Sequence, residues 1–234
     1  MVCFVFDYIK IADMNFNHKI ARKIDHTFLK PEAKIEDVKK ACLEAKKFGF
    51  AAVFTNTAYT QLVAAELKGS RVNTGAAIGF PLGANKTEAK VWETRLAIKD
   101  GAQEIDMVIN IGYLKDKKYD LFEQDIKSVA DAAGKKAIIK VILENCLLDR
   151  QEIKKACELC KKIGVDFVKT STGFNKSGAT LEDVRLMRET VGPEMGVKAA
   201  GGIKDLATAK AFINAGATRI GTSSSVKIVL ENPF

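Results

Sequence analysis

Charged, lysine-rich stretches alternate with short apolar segments along this chain, and glycine stands at many of the boundaries. Apolar segments begin directly after Gly49, Gly101, Gly164 and Gly216. Glycine commonly follows the last turn of a helix because it adopts the left-handed backbone conformation at little cost. The pattern therefore predicts helices that end at these glycines and strands that begin just after them.

Eight apolar segments have the length and composition of strands. They cover residues 23–29, 51–55, 73–80, 104–110, 137–144, 166–172, 196–201 and 219–223. Several are continuous apolar runs, which are typical of parallel strands covered by helices on both faces of the sheet. Strands and helices that alternate in this way predict a (β/α)8 barrel, a single domain over residues 20–234. The alternative is a doubly wound open sheet, but no Gly-x-Gly-x-x-Gly motif follows the first strand.

Residues 1–19 are expected to form an extension or a leading helix ahead of the barrel. Residues 1–6 are apolar, but Asp7 interrupts them and no basic residue precedes them. The segment is therefore a poor match to a signal peptide, and it is far too short to span a membrane. Because Met14 precedes a polar stretch that leads into the first strand, we expect residues 1–13 to be dispensable or to reflect an over-long start. If mass spectrometry of the native protein found Met1 intact, the hypothesis of an over-long start would be contradicted.

Three lysines lie inside predicted strands, each among apolar neighbours: Lys140, Lys169 and Lys198. Removal from water disfavours the charged form of a lysine and lowers its pKa. Proteins rarely bury an ammonium group without a partner or a function. Three such lysines in three separate strands therefore indicate amine chemistry.

Lys169 is the strongest candidate for a nucleophilic amine, because it lies near the end of the sixth predicted strand, where barrel active sites are found. A neighbouring cation lowers the pKa of a lysine further, and Lys198 on the next strand is placed to supply one. Asp106, a carboxylate within an apolar strand, is a candidate for proton relay through a bound water. The alternative is that either lysine only forms an ion pair across the barrel interior, with Asp106 or Glu144. A pair between Asp106 and Lys140 is compatible with both interpretations.

Glycine-rich and serine-rich segments follow the last two predicted strands, where barrels often bind phosphate through backbone N–H groups. They are Gly201-Gly202 after the seventh strand and residues 221–225 after the eighth. Gly173, which follows the sixth strand, is placed to add a further N–H group. Together these segments predict a phosphate site at the mouth of the barrel.

Composition and charge argue against several other classes of protein. The net charge is +8, but the lysines are scattered beside acidic residues on helical stretches, so nucleic-acid binding is not expected. Five cysteines without a paired framework fit a reducing cytosol, and we expect a cytoplasmic protein. Cys157 and Cys160 share one face of a predicted helix and are expected to pack in the core. His18 and His26 are the only histidines, alternation turns His26 away from the barrel interior, and no metal or other cofactor is predicted.

Seven segments carry a resemblance to a known family. They read IDHTFLKP (24–31), GFPLG (79–83), EIDMVIN (104–110), KVILE (140–144), VKTSTGF (168–174), VKAAGGI (197–203) and RIGTSS (219–224). In combination and order, the chain resembles the deoxyribose-phosphate aldolase family over residues 20–225. The resemblance implies a metal-free class I aldol reaction in a (β/α)8 barrel. That reaction interconverts 2-deoxy-D-ribose 5-phosphate with acetaldehyde and D-glyceraldehyde 3-phosphate in deoxynucleoside catabolism.

The resemblance also implies a role for individual residues. Lys169 matches the Schiff-base lysine, Lys198 the lysine that perturbs it, and Asp106 the proton-relay aspartate. The supporting and substrate- or phosphate-binding positions that it implies are Lys140, Asp25, Thr27, Thr170, Gly173, Gly201, Gly202, Ser223 and Ser224. The partners are then small phosphorylated sugars and aldehydes, without nucleic acid or membrane, and barrels of this kind often form homo-oligomers, dimers or tetramers.

The chain departs from the family pattern at three places. Phe54 stands where relatives commonly carry a cysteine, which removes a possible thiol from the wall of the site. Thr57 replaces a proline that tightens the turn after the second strand. Some relatives also have a longer C-terminal tail whose terminal tyrosine reaches the site. These departures concern the fit around the small aldehyde more than the chemistry.

Three other functions compete with this interpretation. A transaldolase-like or keto-acid aldolase would use the same amine on a different phosphorylated sugar, and activity screening with different donors separates the two. A non-catalytic sensor would bind deoxyribose 5-phosphate without turnover, although the sequence retains each of the catalytic candidates. A nucleic-acid-binding barrel would show steeply salt-dependent DNA affinity.

Overall fold

Eight parallel strands close into a barrel in the computed structural model, which describes residues 16–231. The strands are β1 (Ile24–Phe28), β2 (Ala52–Asn56), β3 (Asn73–Ile78), β4 (Glu104–Val108), β5 (Ile138–Ile142), β6 (Phe167–Lys169), β7 (Gly196–Ala200) and β8 (Arg219–Thr222). Each overlaps its predicted segment, so the prediction of a single (β/α)8 barrel is confirmed. The hypothesis that residues 1–13 are dispensable concerns residues outside the described part of the chain, and the boundary at residue 19 stays a prediction.

Helices connect the strands and surround the barrel. They are α1 (His18–Ala21), α2 (Ile35–Phe48), α3 (Thr60–Leu67), α4 (Thr87–Lys99), α5 (Ile111–Lys115), α6 (Tyr119–Ala133), α7 (Arg150–Ile163), α8 (Leu181–Val191), α9 (Leu206–Asn214) and α10 (Ser225–Leu230). As predicted, α2 and α7 end at Gly49 and Gly164, both in the left-handed conformation, with φ of 66° and 85°. None of the helices between residues 16 and 231 is long and apolar enough to cross a membrane.

The strand register brings the charged residues of neighbouring strands side by side. Asp106 is the register partner of Lys140 across β4 and β5, and Lys169 is the partner of Lys198 across β6 and β7. Successive side chains on a strand point to opposite faces, so these four side chains share the inner face of the barrel. The barrel interior therefore carries charged groups at its centre.

The hydrophobic core lies between the strands and the helices. Ile105, Val168 and Val197, which alternate with the inward-facing charged residues, are fully buried in it. Cys157 and Cys160 on α7 are fully buried in the same core, which confirms their predicted packing role. Burial raises the pKa of the Cys157 thiol to about 12, so this thiol remains protonated at neutral pH.

Two aromatic rings occupy the barrel interior, each beside a glycine on the adjacent strand. Phe54 is the register partner of Gly75, and a Cβ at Gly75 would lie 2.5 Å from the Phe54 ring. Phe167 is the register partner of Gly196, where a Cβ would also overlap the ring. Glycine is required at both positions because any side chain would displace a ring from the interior.

Candidate active site

Asp106 on β4 is the centre of a buried charge cluster. Its Oδ2 accepts hydrogen bonds from Lys169 Nζ and Lys198 Nζ, both at 2.7 Å, and its Oδ1 accepts one from Lys140 Nζ at 3.1 Å. The fold thus brings together the three strand lysines and the aspartate that the sequence analysis selected. The ion-pair alternative predicts the same contacts with Asp106, so the protonation states must distinguish the two interpretations.

Further carboxylates and an arginine surround this centre. Lys198 Nζ lies 2.5 Å from Asp25 Oδ2, and Lys140 forms an ion pair with Glu104. Arg219 Nη1 lies 2.6 Å from Asp25 and 3.4 Å from Glu104. The sequence analysis gave Asp25 a supporting position but missed Glu104 and Arg219. Neither stood out in the sequence, because each is a charged residue at the start of a strand, where charged residues are common.

The pKa of Lys169 is lowered from the ordinary 10.5 to about 8. Burial is the largest cause and lowers it, the Asp106 carboxylate raises it, and the Lys198 ammonium group lowers it again. The predicted effect of Lys198 therefore has the expected sign, but burial contributes more. Only the neutral amine of a lysine is a nucleophile, so a lowered pKa is what the nucleophile interpretation requires of Lys169.

Asp106 and Lys140 keep their charges at neutral pH. Burial raises the pKa of the Asp106 carboxyl, but Lys140, Lys169 and Lys198 together bring it well below its usual range. Burial lowers the pKa of Lys140, but Asp106, Asp25 and Glu104 raise it above its ordinary value. The negative charges of the carboxylates are thus compensated by the positive charges of the lysines and the arginine.

Among residues 16–231, no group of three or more His, Cys, Asp or Glu side chains is arranged to hold a metal ion.

A cavity of about 310 Å³ opens at the carboxyl end of the barrel beside Lys169. It is lined by residues 27–30, 169, 172–174, 200–204 and 221–224. Lys169, with 3% of its surface exposed, is the one member of the three-lysine cluster in this lining, whereas Lys140 and Lys198 are fully buried. A molecule in the cavity therefore reaches one amine of the cluster, that of Lys169.

The predicted phosphate-binding residues lie together along one side of the cavity. Gly173, Gly201, Gly202, Ser223 and Ser224 all belong to its lining. Glycine is needed at 201 because its φ is 88° and a Cβ would lie 2.7 Å from the Cα of residue 178.

Two lysines in the cavity lining, Lys30 and Lys204, add positive charge that the sequence analysis did not select. The signal for Lys204 was its position two residues after the glycine pair. Lys30 falls within the first family motif but was given no role there.

Two predicted threonines differ in their relation to the cavity. Thr27 lines it, and its hydroxyl donates to the Asp25 carbonyl at 2.9 Å. Thr170 is not among the described residues that line the cavity. Its hydroxyl donates to the Ala200 carbonyl at 3.2 Å and accepts from the Ala200 amide at 3.1 Å. Thr170 therefore joins the end of β6 to β7, a position that does not support direct contact with a ligand.

Glu144 positions the loop that follows Lys169. It is buried, has a left-handed φ of 57°, and accepts hydrogen bonds from both the amide, at 3.1 Å, and the hydroxyl of Thr172. Thr172 in turn lines the cavity next to Gly173. The alternative in which a strand lysine pairs with Glu144 is therefore not what the structure shows, because the Glu144 carboxylate accepts from the amide and the hydroxyl of Thr172 instead.

His26 points away from the barrel interior, as strand alternation predicted. Its Nδ1 lies 2.8 Å from Ser225 Oγ and its Nε2 lies 3.0 Å from Glu44 Oε2 on α2. Ser225 Oγ is fully buried and also donates to the Thr222 carbonyl at 3.1 Å. The histidine therefore links α2 to the first residue of α10, directly after the loop that contributes the two serines of the cavity.

Comparison with known proteins places this site in a family. The sequence profile of the DeoC/LacD family of aldolases matches residues 12–230. The deoxyribose-phosphate aldolase of Clostridium novyi is 59% identical to this chain, over 92% of this chain and 96% of that protein. The deoxyribose-phosphate aldolase of a Geobacillus species is 55% identical, over 91% and 95% of the two chains.

Solved structures agree with these sequence matches. A putative deoxyribose-phosphate aldolase from Coccidioides immitis superimposes with a TM-score of 0.87 and 42% identity, covering 90% of this chain and 84% of that one. A deoxyribose phosphate aldolase from Aeropyrum pernix, described as having a unique tetrameric structure, gives a TM-score of 0.83 and 33% identity, with coverage of 91% and 90%. The resemblance inferred from the motifs is confirmed, and this chain belongs to the DeoC/LacD family of aldolases.

Proposed function

We propose that this protein is a Schiff-base aldolase that reversibly cleaves 2-deoxy-D-ribose 5-phosphate to D-glyceraldehyde 3-phosphate and acetaldehyde. The observation that carries the proposal is that Lys169 combines a pKa lowered to about 8 with a place in the cavity lining. The names of the relatives support the choice of substrate. The reaction would serve the breakdown of deoxyribonucleosides in the cytoplasm, and a homo-oligomer is expected by analogy with the tetrameric relative.

The reaction begins with the neutral amine of Lys169. Its lone pair attacks the C1 carbonyl of the open-chain sugar, and loss of water from the carbinolamine leaves a protonated imine. The imine accepts the electron pair of the C2–C3 bond when that bond breaks, and the C3 hydroxyl gives up its proton to a base, through a water where needed. This releases D-glyceraldehyde 3-phosphate and leaves an enamine. Protonation of the enamine carbon and hydrolysis of the imine release acetaldehyde and restore the amine.

Asp106 and Lys198 are the groups that move protons in this scheme. The Asp106 carboxylate lies 2.7 Å from Lys169 Nζ and can accept a proton directly or through a water. Lys198, at 2.7 Å from the same carboxylate oxygen, can return one. The two lysines donate to the same Asp106 oxygen, so the proton steps need no long transfer.

The two ends of the substrate fit two parts of the cavity. The aldehyde carbon must reach Lys169, at the end of β6, where the cavity meets the charge cluster. The phosphate is placed among the backbone N–H groups and hydroxyls of Gly173, Gly201, Gly202, Ser223 and Ser224, with Lys204 nearby. Amide groups and cations of this kind are the usual ligands of a phosphate group.

Trapping with borohydride tests the assignment of the amine. Reduction in the presence of acetaldehyde is expected to add one ethyl group to Lys169, because borohydride reduces an imine to a stable secondary amine. Peptide mass spectrometry locates the label. The matched control is Lys169→Arg, which keeps a positive charge but is expected to incorporate no label. A label on Lys140 or Lys198, or none at all, would contradict the proposal.

The rate of trapping is expected to rise with pH through a midpoint near 8, since only the neutral amine attacks. At pH 7 a lysine with this pKa is neutral in about one molecule in ten, against about one in three thousand for an unperturbed lysine. The pKa is lowered, so activity is lost as pH falls below 8 and is retained above it. Stopped trapping reactions between pH 6 and pH 11.5 measure the midpoint. A midpoint near 10.5 would show that the amine is unperturbed.

A further inference from the structure

The Phe54 ring lies against two of the three buried ammonium groups. Its centroid is 4.0 Å from Lys198 Nζ and 4.4 Å from Lys140 Nζ, and the side chain is 1% exposed. Both distances are well within the range of a cation–π contact, which is strongest where water is excluded. Within the described part of the chain, Lys169 Nζ makes no contact of this kind. From the family pattern, Phe54 was expected to replace a thiol in the wall of the site, but it is not among the described residues that line the cavity.

The position of the ring is set by its neighbour on β3. Gly75 is the register partner of Phe54, and a Cβ there would lie 2.5 Å from the ring. The ring therefore packs directly on the Gly75 backbone. The Phe54 ring is therefore fixed in position, because the Gly75 backbone contacts it on one side and the two ammonium groups contact it on the other.

The charges in the barrel do not balance unless one group is neutral. Four cationic groups face three carboxylates; they are Lys140, Lys169, Lys198 and Arg219, and Asp25, Glu104 and Asp106. Arginine stays protonated in proteins, so the cation that can lose its proton and remove the excess charge is one of the three lysines. Lys140 and Lys198 each contact at least two carboxylates, whereas Lys169 contacts one.

We propose that Phe54 is a positioning residue whose ring face holds Lys140 and Lys198 as ammonium groups, so that Lys169 is the lysine that gives up its proton. The negative face of the ring favours a cation on the two lysines that it covers and offers nothing to the third. The ring also fills space beside Lys198 that water would otherwise enter. This inference rests on the proposed role of Lys169 and adds one reason that this lysine, of the three, loses its proton first in this chain.

Phe54→Leu and Phe54→Met test the inference, because both remove the ring at small cost in volume. Without the ring, the Lys198 ammonium group is held less firmly beside Asp106 and Lys169, and the pKa of Lys169 moves back towards its ordinary value. The midpoint of acetaldehyde–borohydride trapping is expected to rise by about one pH unit, and the trapping rate at pH 7 to fall roughly tenfold. Circular dichroism shows which variant is folded, and either one is sufficient. Gly75→Ala, which leaves the phenylalanine but displaces its ring, is expected to shift the midpoint in the same direction.

Phe122→Leu is the matched control. Phe122 lies on α6, is also 1% exposed, and packs in the hydrophobic core outside the barrel. It is expected to lose stability with no change in the trapping midpoint. A wild-type midpoint in the folded Phe54 variants would overturn the inference while leaving the aldolase proposal intact. Failure of the wild-type protein to form the Lys169 adduct would instead overturn the proposed function.

Discussion

Lys169→Ala is expected to lower the rate of retro-aldol cleavage of 2-deoxyribose 5-phosphate by about 10⁴-fold or more, the scale seen when a covalent nucleophile is removed. Lys140 and Lys198 cannot substitute for it, because both are fully buried and neither belongs to the cavity lining. The assay follows release of D-glyceraldehyde 3-phosphate through a coupled reduction, with the variant and the wild-type protein side by side.

The fold of this variant is expected to survive. Lys169 has a lowered pKa, so its charged form is destabilised in the folded protein, and its removal relieves the desolvation of that charge. Thermal unfolding followed by circular dichroism checks this. The matched control is Lys176→Ala, an exposed lysine seven residues further along the same loop region, which is expected to keep wild-type activity. Substantial cleavage by folded Lys169→Ala would contradict the Schiff-base mechanism.

Asp106→Asn is expected to have the largest combined effect on stability and activity. It leaves three ammonium groups around a neutral amide, and loss of one partner from a buried ion pair typically costs about 3–5 kcal/mol of unfolding free energy. Cleavage is expected to fall by about 10²–10⁴-fold, the range for a group that transfers protons in the transition state. Chemical unfolding and the coupled assay measure the two effects.

The pH dependence of Asp106→Asn separates its role from that of Lys169. The Asp106 carboxylate raises the pKa of Lys169, so its loss is expected to move the trapping midpoint below 8. The variant should therefore form the reduced adduct readily at pH 7 while cleaving the sugar slowly. Asp125→Asn is the matched control, since Asp125 is also buried and pairs with Lys90 at 2.6 Å, but between helices outside the barrel. Cleavage by Asp106→Asn at the rate of this control would rule out a proton-transfer role.

Local pattern was sufficient for most of the fold. The glycines at 49 and 164 end helices because few other residues adopt the left-handed conformation that the turn requires. This preference depends on the residue type alone, so it can be read from the sequence. The continuous apolar segments became parallel strands because both of their faces are covered. The strand ends were less predictable. For example, β6 ends at Lys169, because Thr170 hydrogen-bonds the Ala200 backbone and the next residues form the loop that Glu144 holds.

Within the site, the residues that stand out by their type could be predicted from the sequence, but the contacts between residues could not. A lysine within an apolar strand is anomalous in any fold, so Lys140, Lys169 and Lys198 stood out from the sequence. Arg219 did not, because a charged residue at the start of a strand is common and its importance here comes from contact with Asp25, which lies 194 positions away along the chain.

The amino-acid sequence was therefore enough to establish the barrel, the family and the identity of the buried amines, because each depends on local periodicity or on motifs that are contiguous in the chain. The division of roles among the three lysines required the closed barrel. Their protonation depends on distances of 2.5 to 3.1 Å between side chains from five different strands, and on which of them reaches the cavity. The role of Phe54 could not be predicted from the sequence for the same reason. Its contact with two ammonium groups forms only when the closed barrel brings β2 opposite β5 and β7.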